Sequence, residues 1–310
     1  MDILRNIEEI TAALQGCIVT IGNYDGIHIG HQEILRRVAT EAQNQNRKSV
    51  VITFEPHPQK VIHPERRPFY LLTPLEEKLG FLESLGINTT IVITFTPEFA
   101  EITAEQFVDT ILGDKLRIKK IFIGYDYAFG KNKAGNAEYL REAGARGGFE
   151  VEEIGPVKME GIIVSSTNIR LALLDGKIKR AAKMLDRSYN VSGTVVKGHR
   201  RGTTIGFPTA NIKSDKVIPG VGVYVIIAEI EGTKHQGVLN IGFNPTFGND
   251  ELSIEVHLLD FHGDIYGKFI NIHFIERLRD EKKFESPEKL VEQIGHDIER
   301  AKAILAPYVM

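Results

Sequence analysis

The stretch GNYDGIHIGH, residues 22–31, follows the apolar run Cys17-Ile18-Val19-Thr20-Ile21. A β-branched run, then glycines, then a helical pattern reads as a strand handing over to a helix. The spacing predicts a helix opening near Gly30-His31, its free N-terminal amides aimed at the end of strand 17–21. Such a helix end attracts anions, phosphate above all. Gly22 and Gly26 are expected to take positive φ, and Gly30 to let a ligand approach the main chain. His28 and His31 can donate ring N–H bonds to phosphate oxygens, and imidazole gains charge readily beside a phosphate. A lone histidine in a turn is ordinarily a surface residue, but a doublet around a glycine at this handover favours phosphate binding.

Outward from this stretch, short β-branched runs alternate with helix-period segments to about residue 185. Strands are expected at 17–21, 49–53, 89–94, 120–124 and 150–154, and helices at about 31–45, 74–85, 104–112 and 136–146. Thr73-Pro74-Leu75-Glu76 reads as N-cap, proline at the first helical position and capping-box glutamate, and Thr103 with Gln106 repeats the box. The alternation predicts a Rossmann-like α/β domain with a mainly parallel sheet covered on both faces. Such sheets bind ligands beyond the carboxyl ends of their strands. No GxGxxG follows the first strand, which counts against a dehydrogenase. GYDYAFGK (124–131) is not a P-loop, having five residues between its glycines and Asn132 after the lysine.

From about residue 189 the rhythm changes to strands separated by glycine turns, at 189–197, 222–230, 234–241, 252–260 and 269–276. Partial period-two alternation in Ser253-Ile254-Glu255-Val256-His257-Leu258 marks a half-buried strand. The pattern predicts an antiparallel barrel or sandwich. A terminal helix should start at Ser286-Pro287, with Leu290, Val291, Ile294, Ile298, Ala301 and Leu305 as its apolar stripe. Two domains are therefore expected, 1–185 and 186–310, joined by a short, partly helical stretch at 175–189.

The bulk numbers narrow the function. Of the 310 residues, 42% are hydrophobic and 25% charged, and the net charge of −3 argues against a general nucleic-acid surface. The short basic clusters Arg36-Arg37, Arg66-Arg67 and Lys197 to Arg201 read as solvated faces. The single cysteine, Cys17, excludes an internal disulfide framework and reads as a buried core residue in a reducing compartment. No run of 18 apolar residues and no basic, leucine-rich leader is present, since Met1 to Arg5 opens an amphipathic segment. A cytoplasmic protein with no membrane attachment is expected, and nothing in the sequence identifies a protein partner. Histidines 57, 63, 199, 235, 257, 262, 273 and 296 show no zinc spacing and read as structural or exposed.

Two further stretches carry chemistry. VSSTNIR (164–170) opens a helix, and Arg170 lies three residues past Thr167 on one helical face, where its guanidinium can join the hydroxyls around a polyphosphate. Capping alone also explains Ser165, Ser166 and Thr167. In KGHRRGTTIGFPTANI (197–212), Gly198, Gly202 and Gly206 punctuate a basic loop that can fold over a triphosphate. Thr209 and Asn211 offer hard oxygen ligands suited to Mg²⁺, while an Asx-type turn is the plainer reading. Glu255, set between Ile254 and Val256, is either a carboxylate on the wet face of its sheet or a partly buried one of raised pKa. The latter can accept the proton of an attacking hydroxyl.

GNYDGIHIGH together with SSTNIR resembles the HxGH/ISSTxxR nucleotidyltransferases. TFEPHP (53–58) and GYDYAFG (124–130) resemble their FMN adenylyltransferase branch. GFPTAN (206–211), LNIGFNPTFG (239–248), IEVHLLDFHGDIYGK (254–268) and RLRDEKKF (277–284) resemble riboflavin kinase. Nearly the whole chain is thus similar to the bacterial bifunctional riboflavin kinase/FAD synthetase family. The resemblance implies two ATP-dependent steps, riboflavin to FMN and FMN to FAD with release of pyrophosphate. It implies that His28, His31, Ser166, Thr167 and Arg170 hold ATP phosphates, and that Asn23 and Asp126 help build the nucleotide and metal site. Phe54, Pro56 and Pro58 would line the flavin pocket. Gly202 and Gly206 would belong to the kinase nucleotide loop, Thr209 and Asn211 would bind Mg²⁺–ATP, and Glu255 would activate the ribityl 5′-hydroxyl. Arg279 would contact flavin or its new phosphate, and the roles of Asn240 and Asn244 stay open. Ala128 stands where the family often has arginine. A monofunctional adenylyltransferase with a flavin-binding regulatory barrel, and a non-catalytic flavin or nucleotide sensor, are the competing readings.

Overall fold

The structure, a computed structural model, describes residues 1–65, 69–196, 206–243 and 252–308. By its contacts the chain forms two compact units, Met1–Ser165 and Ser166–Met310. The first is built on β1 (Asp2–Leu4), β2 (Ile18–Ile21), β3 (Ser49–Glu55), β4 (Thr89–Thr94), β5 (Lys120–Gly124) and β6 (Glu150–Ile154). These strands form one sheet in the order β1-β4-β3-β2-β5-β6, with every pairing parallel. The chain leaves β2 toward β3 and β4, then returns to place β5 on the other side of β2. That reversal is a topological switch point, where sheets of this kind open a crevice. GNYDGIHIGH leaves β2 at that point and GYDYAFG leaves β5.

α1 (Ile29–Asn44) and α3 (Leu75–Ser84) cover one face, burying Leu35, Val38 and Leu82 against Ile18, Val51 and Phe122. The other face, from Val19, Ile21, Ile52 and Ile121, meets α5 (Ala104–Gln106) with its π-helical continuation through Lys115, and α6 (Ala137–Gly147). Full coverage explains why the central strands read as continuous apolar runs. Thr103 and Gln106 close the expected capping box, at 3.1 and 3.0 Å.

Several expectations are corrected. α3 opens at Leu75 with Pro74 in the N-cap position, and the Thr73 amide that a capping box would give to Glu76 donates instead to the Asp25 carboxylate at 3.0 Å. Met1 to Arg5 supplies the edge strand β1, whose three residues pair with Thr89–Ile91. The short helices α2 (Pro58–Ile62) and α4 (Pro97–Ala100) and the hairpin β7 (Lys158–Met159)–β8 (Ile162–Ile163) were not expected. Cys17 is buried as expected, and burial pushes its thiol up to about 12.

The second unit begins with α7 (Ser166–Leu174) and α8 (Ile178–Leu185), followed by a closed antiparallel barrel. Its strands are β9 (Asn190–Val196), β10 (Ala210–Lys213), β11 (Gly222–Ile230), β12 (Thr233–Phe243), β13 (Leu252–Leu258) and β14 (Phe269–Arg279). The order β10-β13-β12-β11-β14-β9 closes where β9 pairs with β10. β10 was not expected, since four residues are too few to show a period. α8 packs on β14, and the Gly220 amide donates to the Leu173 carbonyl at 2.9 Å, so both helices belong to the barrel's unit. The terminal helix α9 (Pro287–Leu305), capped by Ser286, covers the outer face of β11, with Ala301 and Leu305 against Val223, Val225 and Ile227. Of the expected stripe only Ala301 and Leu305 are buried, and Asp297 is buried in their midst. Among the described residues, no helix is long and apolar enough to cross a membrane.

Barrel closure sets a steric limit. At Gly193 an added Cβ would collide with the Lys213 carbonyl oxygen and Ile212 across the β9–β10 seam. Gly193→Ala is expected to lower stability by about 1–3 kcal/mol, with thermal unfolding as the measurement. An unchanged melting temperature would contradict this account of the seam.

Candidate functional site

His28 is the N-cap of α1, which therefore opens at Ile29, just before the expected position. Its Nδ1 accepts the His31 backbone N–H at 3.2 Å, which leaves the ring proton on Nε2. The two imidazoles stack with centroids 3.6 Å apart and planes 20° from parallel. An alanine Cβ at position 30 would press on His28 Nδ1 at 3.2 Å, so this glycine lets the ring fold over the helix end. His31 is partly exposed as a residue, but its Nδ1 is enclosed and has no hydrogen-bond partner among the described residues. Desolvation first, then the neighbouring His28 and the Lys78 ammonium, hold its pKa well below the ordinary histidine value.

The loop before the pair is tightly held. Tyr24 (φ 49°), Gly26 (φ 91°) and Ile27 (φ 37°) take the left-handed region. Gly22 does not; its need is close approach, with the Tyr24 ring 3.0 Å from where a Cβ would stand. Tyr24 shares a 2.5 Å hydrogen bond with Thr20 and meets His31 edge-on at 5.1 Å. The buried Asp25 carboxylate accepts the Leu72 and Thr73 amides, both reached within 3.0 Å. Sequence reasoning missed Tyr24, Asp25 and Lys78. Beside Glu76 and Glu77, Lys78 reads as one more surface charge.

The other first-unit candidates lie at carboxyl ends of sheet strands. The Asn23 carbonyl, just past β2, accepts Thr53 Oγ1 at 3.5 Å. Asp126 is exposed two residues past β5, and Ala128 is exposed beyond it. Phe54, next to last in β3, lies in a cluster of rings, 5.6 Å from Phe95 and 6.0 Å from Phe99. Pro56 follows a cis peptide bond, and Pro58 opens α2. His57 caps that helix by accepting the Gln59 amide at 3.2 Å, a structural role. Ser166 is the first residue of α7, in the second unit. Thr167 is exposed there, and Arg170 is half-buried one turn on.

In the barrel, Asn211 of β10 and Glu255 of β13 are direct register partners, and Glu255 in turn faces Asn240 of β12. All three are half-buried, while Ala210, Ile212, Leu239, Ile254 and Val256 alternate with them as buried residues. The trio shares the outer face, where Val223 pairs with Asn240. Thr209 precedes β10 by one residue. The His257 ring, two positions from Glu255 on the same face, donates from Nδ1 to the Pro208 carbonyl at 2.9 Å and meets Phe207 edge-on. It fastens the segment carrying Thr209 and Asn211, a role its isolated place in the sequence did not signal. Arg279 is held by the buried Asp297, with Nη2 and Nε at 2.8 and 2.9 Å, and its Nη1 donates to the Asp280 carbonyl. Gly206 is exposed, whereas Gly202 and Asn244 lie outside the described residues. These residues hold no group of three or more His, Cys, Asp or Glu that could bind a metal.

The depressed His31 predicts a pH dependence. Folded His31 stays neutral where an unfolded histidine gains a proton, below about pH 6.5. Its contribution to stability is therefore full above that value and lost as pH falls, by up to ~1.4 kcal/mol per pH unit. Melting curves between about pH 5 and pH 8 should show the wild type losing ground to His31→Gln on the acid side. A pH-independent difference would contradict the assignment.

Comparison with known proteins identifies the family. The FAD synthetase family profile matches residues 10–168, and the riboflavin kinase profile residues 185–305. The bifunctional riboflavin kinase/FMN adenylyltransferase of Listeria monocytogenes is 38% identical over 292 residues, covering 93% of this chain and 92% of that one. Its namesake from Pseudomonas fluorescens is 35% identical and covers 99% of each chain. The Escherichia coli K12 protein of that name is 36% identical and covers 96% of each. A crystal structure titled as a macrolide-efflux protein from Streptococcus pneumoniae superposes with a TM-score of 0.87 at 34% identity, covering 97% of this chain and 98% of that one. Both profiles and the full-length relatives support FAD biosynthesis, not the efflux of that title. The chain is an enzyme of two consecutive steps, phosphorylating riboflavin to FMN and adenylylating FMN to FAD, and it belongs to the bifunctional riboflavin kinase/FMN adenylyltransferase family.

Proposed function

We propose that residues 1–185 carry the adenylylation and 186–310 the phosphorylation, with the work done by the residues named above. For adenylylation, one oxygen of the FMN phosphate attacks the α-phosphorus of ATP in line, forming the P–O–P bridge of FAD as pyrophosphate leaves. No covalent enzyme intermediate is needed, so the protein's part is alignment and stabilisation of charge. His28 and His31 receive the triphosphate, together with the α1 amides. The single observation supporting this is the stacked pair over the helix end, with His28 Nδ1 committed to the main chain and Nε2 left to carry the donor proton. Ser166, Thr167 and Arg170 contribute hydroxyls and a cation to ATP phosphates, and Asn23 and Asp126 serve the nucleotide and its metal. Phe54, Pro56 and Pro58 offer an apolar wall to the isoalloxazine.

For phosphorylation, Glu255 accepts the proton of the ribityl 5′-hydroxyl as that oxygen attacks the γ-phosphorus and ADP leaves. The oxygen donors of Thr209 and Asn211, the latter in register with Glu255, suit Mg²⁺ held largely by the nucleotide phosphates. Bound there, Mg²⁺ would neutralise phosphate charge. Gly202 and Gly206 belong to the loop over that nucleotide. Arg279, steered by Asp297, points one guanidinium edge at flavin or its new phosphate. A cytoplasmic setting fits two ATP-dependent steps and a chain whose single thiol is buried. Its proposed partners are the small molecules riboflavin, FMN and ATP, with neither nucleic acid nor membrane.

Incubating pure protein with riboflavin, ATP and Mg²⁺ should give FMN first and FAD later. Glu255→Ala should abolish riboflavin phosphorylation while still converting supplied FMN to FAD. The paired His28→Ala/His31→Ala should do the reverse, accumulating FMN with adenylylation reduced by about 100-fold or more. If either variant removes both activities while remaining folded, the division of labour is wrong.

A further inference from the structure

We propose that Lys78 is a positioning residue for adenylyl transfer, its buried ammonium acting through Thr53 to hold the loop that carries Asn23, His28 and His31. Lys78 lies on α3 and is only 3% exposed, although its near neighbour Glu76 is exposed. Its Nζ donates to Thr53 Oγ1 at 3.4 Å, and Thr53 Oγ1 donates to the Asn23 carbonyl at 3.5 Å. The polarity is consistent, since the hydroxyl receives the ammonium proton on a lone pair and passes its own hydrogen to Asn23. Thr53 is fully buried near the end of β3.

A second tie runs in parallel. The Asp25 carboxylate, from the same loop, accepts the Leu72 and Thr73 amides just ahead of α3. The loop is thus fastened to the α3 segment at both ends of the Asn23-to-Asp25 span. The carboxylates of Asp25 and Glu55 offset the Lys78 charge, while desolvation pushes its pKa down. Keeping an ammonium in such a place carries a desolvation cost that a methionine of similar shape would avoid. A fixed cation beside an anion-binding loop would strengthen the local field for a triphosphate. The same charge helps keep His31 unprotonated.

This inference rests on assigning the His28–His31 loop to adenylyl transfer, and the test separates the two. In full-length protein, Lys78→Met, Thr53→Val and Thr53→Ser are assayed for FMN adenylylation, for riboflavin phosphorylation and for melting temperature. Lys78→Met and Thr53→Val are expected to lower adenylylation kcat/KM by at least about tenfold. Phosphorylation should stay within about twofold, and Thr53→Ser, which keeps the hydroxyl, should restore adenylylation to within about threefold. The proposal is overturned if Lys78→Met leaves adenylylation within about threefold of wild type, or if Thr53→Ser is as impaired as Thr53→Val. It is equally overturned if both activities fall together with the melting temperature. Should Lys78→Met fail to fold, the two Thr53 variants decide. If His28→Ala/His31→Ala retains adenylylation, the assignment of the loop fails, whatever Lys78 does.

Discussion

The hydrogen bond from the His31 amide to His28 Nδ1 is the constraint on which the adenylylation half turns. It takes one of the orphan amides of α1 and fixes which nitrogen of His28 bears the proton. It also lays one ring flat over the other. Glycine at position 30 gives the ring room, since an added Cβ would press on His28 Nδ1 at 3.2 Å. Left-handed backbone at Tyr24 and Ile27, uncommon for such residues, is the strain that this arrangement carries. The all-parallel sheet with its switch at β2 and β5 gives that strained loop a rigid base.

The barrel achieves the same end by register. Pairing Asn211 with Glu255, and Glu255 with Asn240, lines three polar side chains along one face of neighbouring strands. A slip of one residue would turn all three to the apolar interior. Gly193 at the seam and His257 on the Pro208 carbonyl are devices that hold this register and the segment feeding it.

Much of this was legible in the sequence, for physical reasons. Strands buried on both faces write themselves as β-branched runs, so β4 and β5 fall on their expected residues, as does the edge strand β6, and glycine turns mark β11 to the residue. The histidine doublet and its glycine sit where strand-to-helix chemistry places them. What escaped depends on tertiary contact. β1 has three residues and no readable period. The amide of Thr73 that a capping box would use goes instead to Asp25, distant in sequence. Lys78 and His257 look like ordinary surface residues until the fold encloses one and sets the other against a carbonyl. No local signal shows that Asp297, beside the expected apolar stripe of α9, grips Arg279.

The central claim is that two separate nucleotide sites exist and that the imidazole pair makes one of them. Calorimetric titration with a non-hydrolysable ATP analogue and Mg²⁺ tests it most directly. The account predicts two analogue molecules bound per wild-type chain and one per chain when both His28 and His31 are alanine. Two molecules still bound by the folded double variant, with unchanged affinities, would contradict it.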